Sequence, residues 1–260
     1  MFKTFLSAIG AYKFYEKWLW YQVKNGLKPE HIAIILDGNR RWASEKALGP
    51  WLGHEKGAEK VDQLLDWCLK LDVKSITLYA FSTENFSRQK NEVEEIMRIA
   101  GEEFQRILTD ERIHKNRVRV KVIGRVSLLP ENLRKLIMDV ERATEGYDEH
   151  FLNIAFAYGG RAEIVDAARK IAEKVQDGKL VPEKVDEQTF EKFLYTSHMP
   201  KQDPDLIIRT SGEERLSGFL LWQSAYSELC FLDVYWPAFR RIDLLRAIRT
   251  YQQRKRRFGR

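Results

Sequence analysis

An aspartate at the end of an apolar run, with a glycine turn and two arginines directly behind it, is the part of this chain best equipped for chemistry. Residues His31 to Trp42 read His-Ile-Ala-Ile-Ile-Leu-Asp-Gly-Asn-Arg-Arg-Trp. The run Ile32 to Leu36 is short and rich in branched residues, and Asp37-Gly38-Asn39 closes it. That pattern predicts a buried strand feeding a tight turn, with a helix opening near Arg40. In open α/β sheets, ligands gather outside the carboxyl ends of strands, where a helix N-terminus favours anions. A carboxylate there repels a phosphate unless a hard cation stands between them, so Asp37 beside Arg40 and Arg41 points to a magnesium-bridged diphosphate. Taken alone, the segment reads equally well as an Asx-turn followed by two surface arginines.

Two more polar clusters follow apolar runs in the same way. Phe81 to Arg88 carries Ser82, Asn85 and Arg88 where a plain turn would suffice. Arg209 to Ser217 offers Arg209, Arg215 and Ser217, with Gly212 for close backbone approach. Guanidinium forks match diphosphate oxygens better than ammonium groups do. Any one cluster is explained by a solvated loop. Three at the same end of a sheet imply two anion pockets beside an apolar region, a pattern that suits a pair of prenyl diphosphates.

The elements that position these clusters follow from periodicity. Helices are expected over Glu55 to Leu71, Glu92 to Leu108, Leu133 to Ala143, Ala162 to Val175, Gln188 to Tyr195 and Leu244 to Arg256. Further strands are expected at Ser75 to Phe81, Arg117 to Ile123, Phe151 to Phe156, Leu206 to Arg209 and Leu229 to Leu232. Strands and helices alternate, which predicts an α/β fold: a single domain with a mainly parallel central sheet of about six strands covered by helices. With no GxxxxGK[ST] loop and no GxGxxG fingerprint, it is not a Rossmann nucleotide fold.

The 260 residues are enough for one large domain. Two cysteines, Cys68 and Cys230, make neither a disulfide framework nor a cysteine zinc site, and they fit a reducing, cytoplasmic compartment. Of the net charge of +6, the stretch Arg240 to Arg260 accounts for more than all, with nine Lys/Arg against the single Asp243. The rest is near neutral, so the high pI is no argument for nucleic acid as a partner. Residues 1–29 are read as an aromatic-rich, amphipathic N-terminal helix. Too charged for a signal peptide, this segment suits either the membrane interface or packing on its own domain. Residues 30–260 are read as the catalytic domain.

Several blocks in order resemble a known family. Ile34 to Trp42, Gly53-His54, Tyr79 to Asn85, Ile207 to Glu213 and Leu221 to Glu228 are similar to the blocks of cis-prenyltransferases, the undecaprenyl and dehydrodolichyl diphosphate synthases. The resemblance runs from about residue 30 to the C-terminus. The aspartate-rich DDxxD box of the all-helical trans-prenyltransferases is absent.

The resemblance implies condensation of isopentenyl diphosphate onto an allylic diphosphate, farnesyl or geranylgeranyl, with a cis double bond formed at each step. It assigns Mg²⁺ to Asp37, with Glu228 completing the metal site from a partner subunit of a homodimer. Gly38, Asn39, Arg40, Arg41 and Trp42 would cradle the allylic diphosphate with His54, Phe86 and Arg88 close by. Ser82 and Asn85 would lie near the reacting carbons and assist proton removal. Arg209, Arg215 and Ser217 would bind isopentenyl diphosphate, joined across the dimer by Arg257 and Gly259 of an RxG motif. A medium to long polyprenyl diphosphate, precursor of a glycan lipid carrier, is the expected product, made at the cytoplasmic face of a membrane by a peripherally bound enzyme.

Three positions depart from the pattern. Arg40 stands where many bacterial members have glycine, Phe86 where tryptophan is common, and Pro50 where an arginine usually precedes the histidine by four residues. The growing chain would thread between sheet and helices past Ala80, Val93, Ile96, Met97, Ala100, Phe104, Ile107 and Ile154. Two rival readings stand: a non-catalytic accessory subunit, which the presence of Asp37 opposes, and a nucleic-acid binder using the basic C-terminus, which leaves all three strand-end clusters unexplained.

Overall fold

Short apolar runs become the strands of one sheet, as their continuous hydrophobicity requires of strands covered on both faces. The computed structural model describes residues 11 to 254. The strands are β1 (His31–Ile35), β2 (Ser75–Ser82), β3 (Val118–Ile123), β4 (His150–Tyr158), β5 (Leu206–Arg209) and β6 (Glu228–Phe231), in the spatial order β3-β4-β2-β1-β5-β6. Every pairing is parallel, with Ile32 opposite Ile76 on one side and Leu206 on the other. The chain leaves β1 toward β2 and later returns on the other flank as β5. The gap between the ends of β1 and β5 is therefore the switch point at which open α/β sheets bind ligands.

Side chains alternate along each strand and split the core. Ile32 and Ile34 belong to the larger cluster, and Ala33 and Ile35 to the smaller one on the opposite face. Helices α1 (Ala11–Asn25), α2 (Asn39–Glu45), α3 (Pro50–Leu71), α4 (Lys90–Ile107), α5 (Glu111–Lys115), α6 (Glu131–Ala143), α7 (Gly160–Gln176), α8 (Glu187–Glu191) and α9 (Arg241–Gln253) alternate with the strands. Leu64 and Cys68 of α3, Ile96 and Phe104 of α4, and Ile137 of α6 fill the larger cluster.

Several element boundaries differ from expectation, most by one or two residues and some by more. α3 begins five residues before Glu55, with Pro50 at N1, its fixed φ suiting the first turn. The segment expected as helix over Gln188 to Tyr195 is helical only to Glu191 and then runs through turns. α9 opens at Arg241, where Asp243 accepts hydrogen bonds from the backbone and side chain of Arg240.

The N-terminal helix packs on its own domain with one face. Leu19 and Val23 of α1 are fully buried in the larger cluster beside α9, and Glu16 pairs with Arg241. Arginines of α9 and its entry lie over the rings of Tyr12, Tyr15, Trp18 and Trp20. Phe14 and Tyr21 face solvent at 75% and 71% exposure. Among the described residues no helix is long and apolar enough to cross a membrane.

Candidate active site

Asp37 is held by backbone before its side chain does anything. Its N–H donates to Thr210 Oγ1 at 3.0 Å, and its carbonyl accepts from that hydroxyl at 2.7 Å and from Trp236 N–H at 2.9 Å. Gly38 follows with φ 101°, and a Cβ there would meet Tyr235 Cδ1 at 2.6 Å. Only glycine satisfies both constraints. These restraints aim the Asp37 carboxylate into a cleft of about 800 Å³ above the ends of β1, β2 and β5.

Two guanidinium groups meet that carboxylate. Arg209 Nη2 donates to Oδ2 at 2.7 Å, and Arg41 Nη2 lies 3.2 Å from Oδ1. Burial opposes ionisation of Asp37, but hydrogen bonds from Arg209 and Ser211 and the charges of Arg209 and Arg41 outweigh it. The carboxyl is held below the usual carboxylate range. Arg209 is only 5% exposed. Its Nη1 donates to Ser217 Oγ at 2.8 Å and to the Arg215 carbonyl, while its buried Nε has no partner. Arg41 also reaches Ser211 Oγ at 2.7 Å and Glu213 at 3.2 Å.

A second cationic group lines the other side. Glu92 of α4, a residue to which the sequence drew no attention, gathers Arg88 at 3.0 Å, His54 at 3.3 Å and Arg40 at 3.7 Å. Burial lowers the His54 pKa, helped by the charges of Arg88 and Arg40 and opposed by Glu92. Pro50 lines the cleft here without a charge. Ser82 and Asn85 close the third side: the Asn85 side chain accepts from Ser82 N–H at 3.0 Å, fixing the turn after β2. Among the described residues no cluster of three His, Cys, Asp or Glu side chains is arranged to hold a metal.

Asp37, Gly38, Asn39, Arg40, Arg41, His54, Ser82, Asn85, Arg88, Arg209 and Ser217 thus line one cleft. Four others lie elsewhere. Trp42 turns away from the cleft, with Lys46 over its ring, as its position one turn into α2 requires. Phe86 packs edge-on against Phe81 at 4.9 Å, joining the core. The Arg215 side chain is 64% exposed and pairs with Glu213, so only its carbonyl serves Arg209. Glu228 stands opposite Leu206, at the far end of β5 from Arg209, and pairs with Arg254. Arg257 and Gly259 lie outside the described residues. α2 is seven residues long, so anion affinity here rests on guanidinium groups more than on a helix dipole. Tyr79, unremarked in the sequence beyond its block, also lines the cleft, stacked on Phe219 at 4.7 Å.

An apolar channel adjoins the cleft between α3, α4 and the sheet, with a free volume of about 150 Å³. Leu36, Asn39, His54, Ala80 and Ile96 line both spaces. Ala100, Phe104, Ile107 and Ile154 line the channel as expected, whereas Met97 faces an outer groove beside α6 and Val93 packs against the core.

The chain has close relatives. Residues 35–259 match the family described as putative undecaprenyl diphosphate synthase. It is 56% identical over 250 residues to a tritrans,polycis-undecaprenyl-diphosphate synthase (geranylgeranyl-diphosphate specific) of Methanopyrus kandleri, covering 96% of this chain and 92% of the relative. Identity to the protein of the same description from Methanocaldococcus jannaschii is 52%, covering 99% and 92%. Among solved structures, lavandulyl diphosphate synthase from Lavandula x intermedia, in complex with dimethylallyl diphosphate, superposes with a TM-score of 0.85 at 38% identity, over 90% of this chain and 99% of that one. A probable undecaprenyl diphosphate synthase from Campylobacter jejuni gives 0.73 at 32%, over 90% and 100%.

Proposed function

This chain belongs to the undecaprenyl diphosphate synthase family of cis-prenyltransferases, enzymes that build polyprenyl diphosphates, and we propose that it extends geranylgeranyl diphosphate with successive units of isopentenyl diphosphate. The observation that carries this reading is the junction of a cationic cleft around Asp37 with an apolar channel through shared walls. A diphosphate head and a hydrocarbon tail each find matching surroundings in one continuous space. The specificity named for the two relatives favours geranylgeranyl over farnesyl diphosphate as primer.

The residues fit a magnesium diphosphate. The buried, unpartnered Arg209 Nε is a donor awaiting an anion, and Asp37 is ionised beside it. In this reading Asp37 would hold Mg²⁺, and the metal would supply charge neutralisation for the leaving group. Arg40, Arg41 and Arg88, with Gly38, Asn39 and His54, hold the allylic diphosphate. Arg40 and Arg88 supply the charge that Pro50 lacks. Arg209 and Ser217 orient isopentenyl diphosphate, with Arg215 swinging in from solvent. Ser82 and Asn85 border the reacting carbons and assist departure of the proton.

A homodimer completes the site. Glu228 is too far along β6 to serve its own Asp37, so in this reading it serves the partner's, as do Arg257 and Gly259. β6 is the outermost strand, and Tyr226 beside it is exposed, which suits a contact with a second copy. The outward aromatic face of α1, with Lys13, Lys17 and Lys24, supports peripheral membrane binding by residues 1–29, the catalytic domain occupying 30–260. The small Ala80 and Ala100 in the channel leave room for a medium to long product, which in this reading serves as a glycan-carrier precursor. Incubation with each primer and labelled isopentenyl diphosphate, followed by mass analysis of products, tests the reading. A product only one isoprene unit longer than its primer would refute it.

A further inference from the structure

The apolar channel does not end on an apolar plug. From His54 to Asp62 along α3 is roughly 12 Å, and from Ile96 to Ile107 along α4 roughly 16 Å. At that far end the lining changes character: Asp62, Glu103, Arg106 and Asp110 join Ile107 and Ile113. Asp62 comes from α3, while Asp110 caps the N-terminus of α5 by accepting from Arg112 N–H at 2.8 Å. One guanidinium ties the two together. Arg112 Nε and Nη2 donate to Asp110 at 3.0 and 2.6 Å, Nη2 also meets the Asp62 carboxylate, and Nη1 donates to the Asp62 carbonyl at 3.3 Å. Asp62 and Arg112 are both partly open to water, so the charges stand between the channel and solvent. Burial raises the pKa of Glu103 beside them, marking a carboxylate already short of water.

We propose that the Asp62–Arg112–Asp110 ion pair is a latch across the channel's exit that the growing chain must part to lengthen further, and that the resistance of the latch biases the length at which growth stops. This rests on the channel being the product's path. A hydrocarbon end that reaches the latch must strip water from carboxylates or part a three-membered ion pair, and neither is repaid by apolar contact. Growth up to that point costs nothing comparable, because the walls are apolar. The latch also joins α3 to α5, so parting it opens a way out between helices rather than a closed pocket. Chains outrunning the channel must pass there.

The test compares products of the full-length enzyme with those of Arg112→Gln and Asp62→Asn, using geranylgeranyl diphosphate and labelled isopentenyl diphosphate and sizing the polyprenols after dephosphorylation. Both substitutions should shift the distribution to longer chains, and Arg112→Lys should leave it closer to the original. General loss of structure lowers the yield without lengthening the product, and the two variants attack opposite sides of the latch. A third variant, Ala100→Phe, narrows the middle of the channel and should shorten the product. Shorter chains from Ala100→Phe with unchanged lengths from Arg112→Gln and Asp62→Asn would overturn the latch alone. Unchanged lengths from all three would overturn the channel assignment with it.

Discussion

Asp37→Asn keeps the size of the side chain and removes its charge, so it separates two roles of that charge. In the ligand-free protein the carboxylate neutralises Arg209, which is nearly buried, and Arg41, which is not. Stripping one partner from a fully buried pair costs about 3–5 kcal/mol. Asp37 is itself 26% exposed, and the amide oxygen still accepts a hydrogen bond, which reduces the cost to about 1–2 kcal/mol. At roughly 2–4 °C per kcal/mol for a domain of this size, Tm should fall by about 2–8 °C. The same carboxylate repels an incoming diphosphate. Two like charges about 4 Å apart at an effective dielectric of about 20 repel by about 4 kcal/mol, which water in the open cleft cuts to about 1–2. In excess EDTA the variant should therefore bind inorganic pyrophosphate about 5- to 30-fold more tightly than the unaltered protein. In Mg²⁺ the order should reverse, because the metal has lost its protein ligand. Isothermal titration measures both. Tighter binding by the unaltered protein without metal, or indifference of both proteins to Mg²⁺, would show that the Asp37 charge neither repels the anion nor holds the metal.

Other expectations follow from particular contacts. A Cβ at Gly53 would lie 2.2 Å from the Asn39 carbonyl, so Gly53→Ala should push α2 from α3, costing about 1–3 kcal/mol and raising KM for the allylic substrate more than for isopentenyl diphosphate. Burial lowers the His31 pKa from 6.5 to about 4. The unfolded chain then takes up a proton that the folded chain refuses. The stability contribution is complete above pH 6.5 and shrinks by about 1.4 kcal/mol per unit as pH falls toward 4. His31→Gln should give a flatter dependence of Tm on pH over that window. Leu19→Ala, in the buried face of α1, should cost about 2–5 kcal/mol by denaturant titration. Phe14→Ser with Tyr21→Ser, on the exposed face, should leave stability within about 0.5 kcal/mol while weakening flotation with anionic vesicles. Unchanged flotation would leave α1 a packing element only.

The sheet was legible because each strand is a continuous apolar run, a signal carried by local sequence alone. So was the gathering of Asp37, Ser82 and Arg209, since strand ends in a parallel sheet share one edge. Boundaries that depend on tertiary context were not. The start of α3 is one: Pro50 lacks an N–H and is tolerated only in the first helical turn, where no intrahelical bond is lost, and the turns after Glu191 follow from contacts distant in sequence. Side-chain direction was equally hidden: Trp42 and Arg41 are neighbours on α2, yet only Arg41 faces the cleft. Glu92 looked like one more acid on an amphipathic helix. Its place becomes visible only when α3 and α4 pack side by side and His54, Arg40 and Arg88 converge on it.

In the proposed reaction one space, cationic at Asp37 and apolar beyond Ala80, joins two prenyl diphosphates. Transfer of label from isopentenyl diphosphate into acid-stable, butanol-extractable polyprenyl diphosphate tests it most directly, with the purified chain, geranylgeranyl diphosphate and Mg²⁺ as the sole additions. The unaltered chain should incorporate many units per primer with cis double bonds by NMR, and Asp37→Ala should incorporate none above background. Equal incorporation by Asp37→Ala would remove Asp37 from the chemistry, and none by the unaltered chain would remove the chemistry from this cleft.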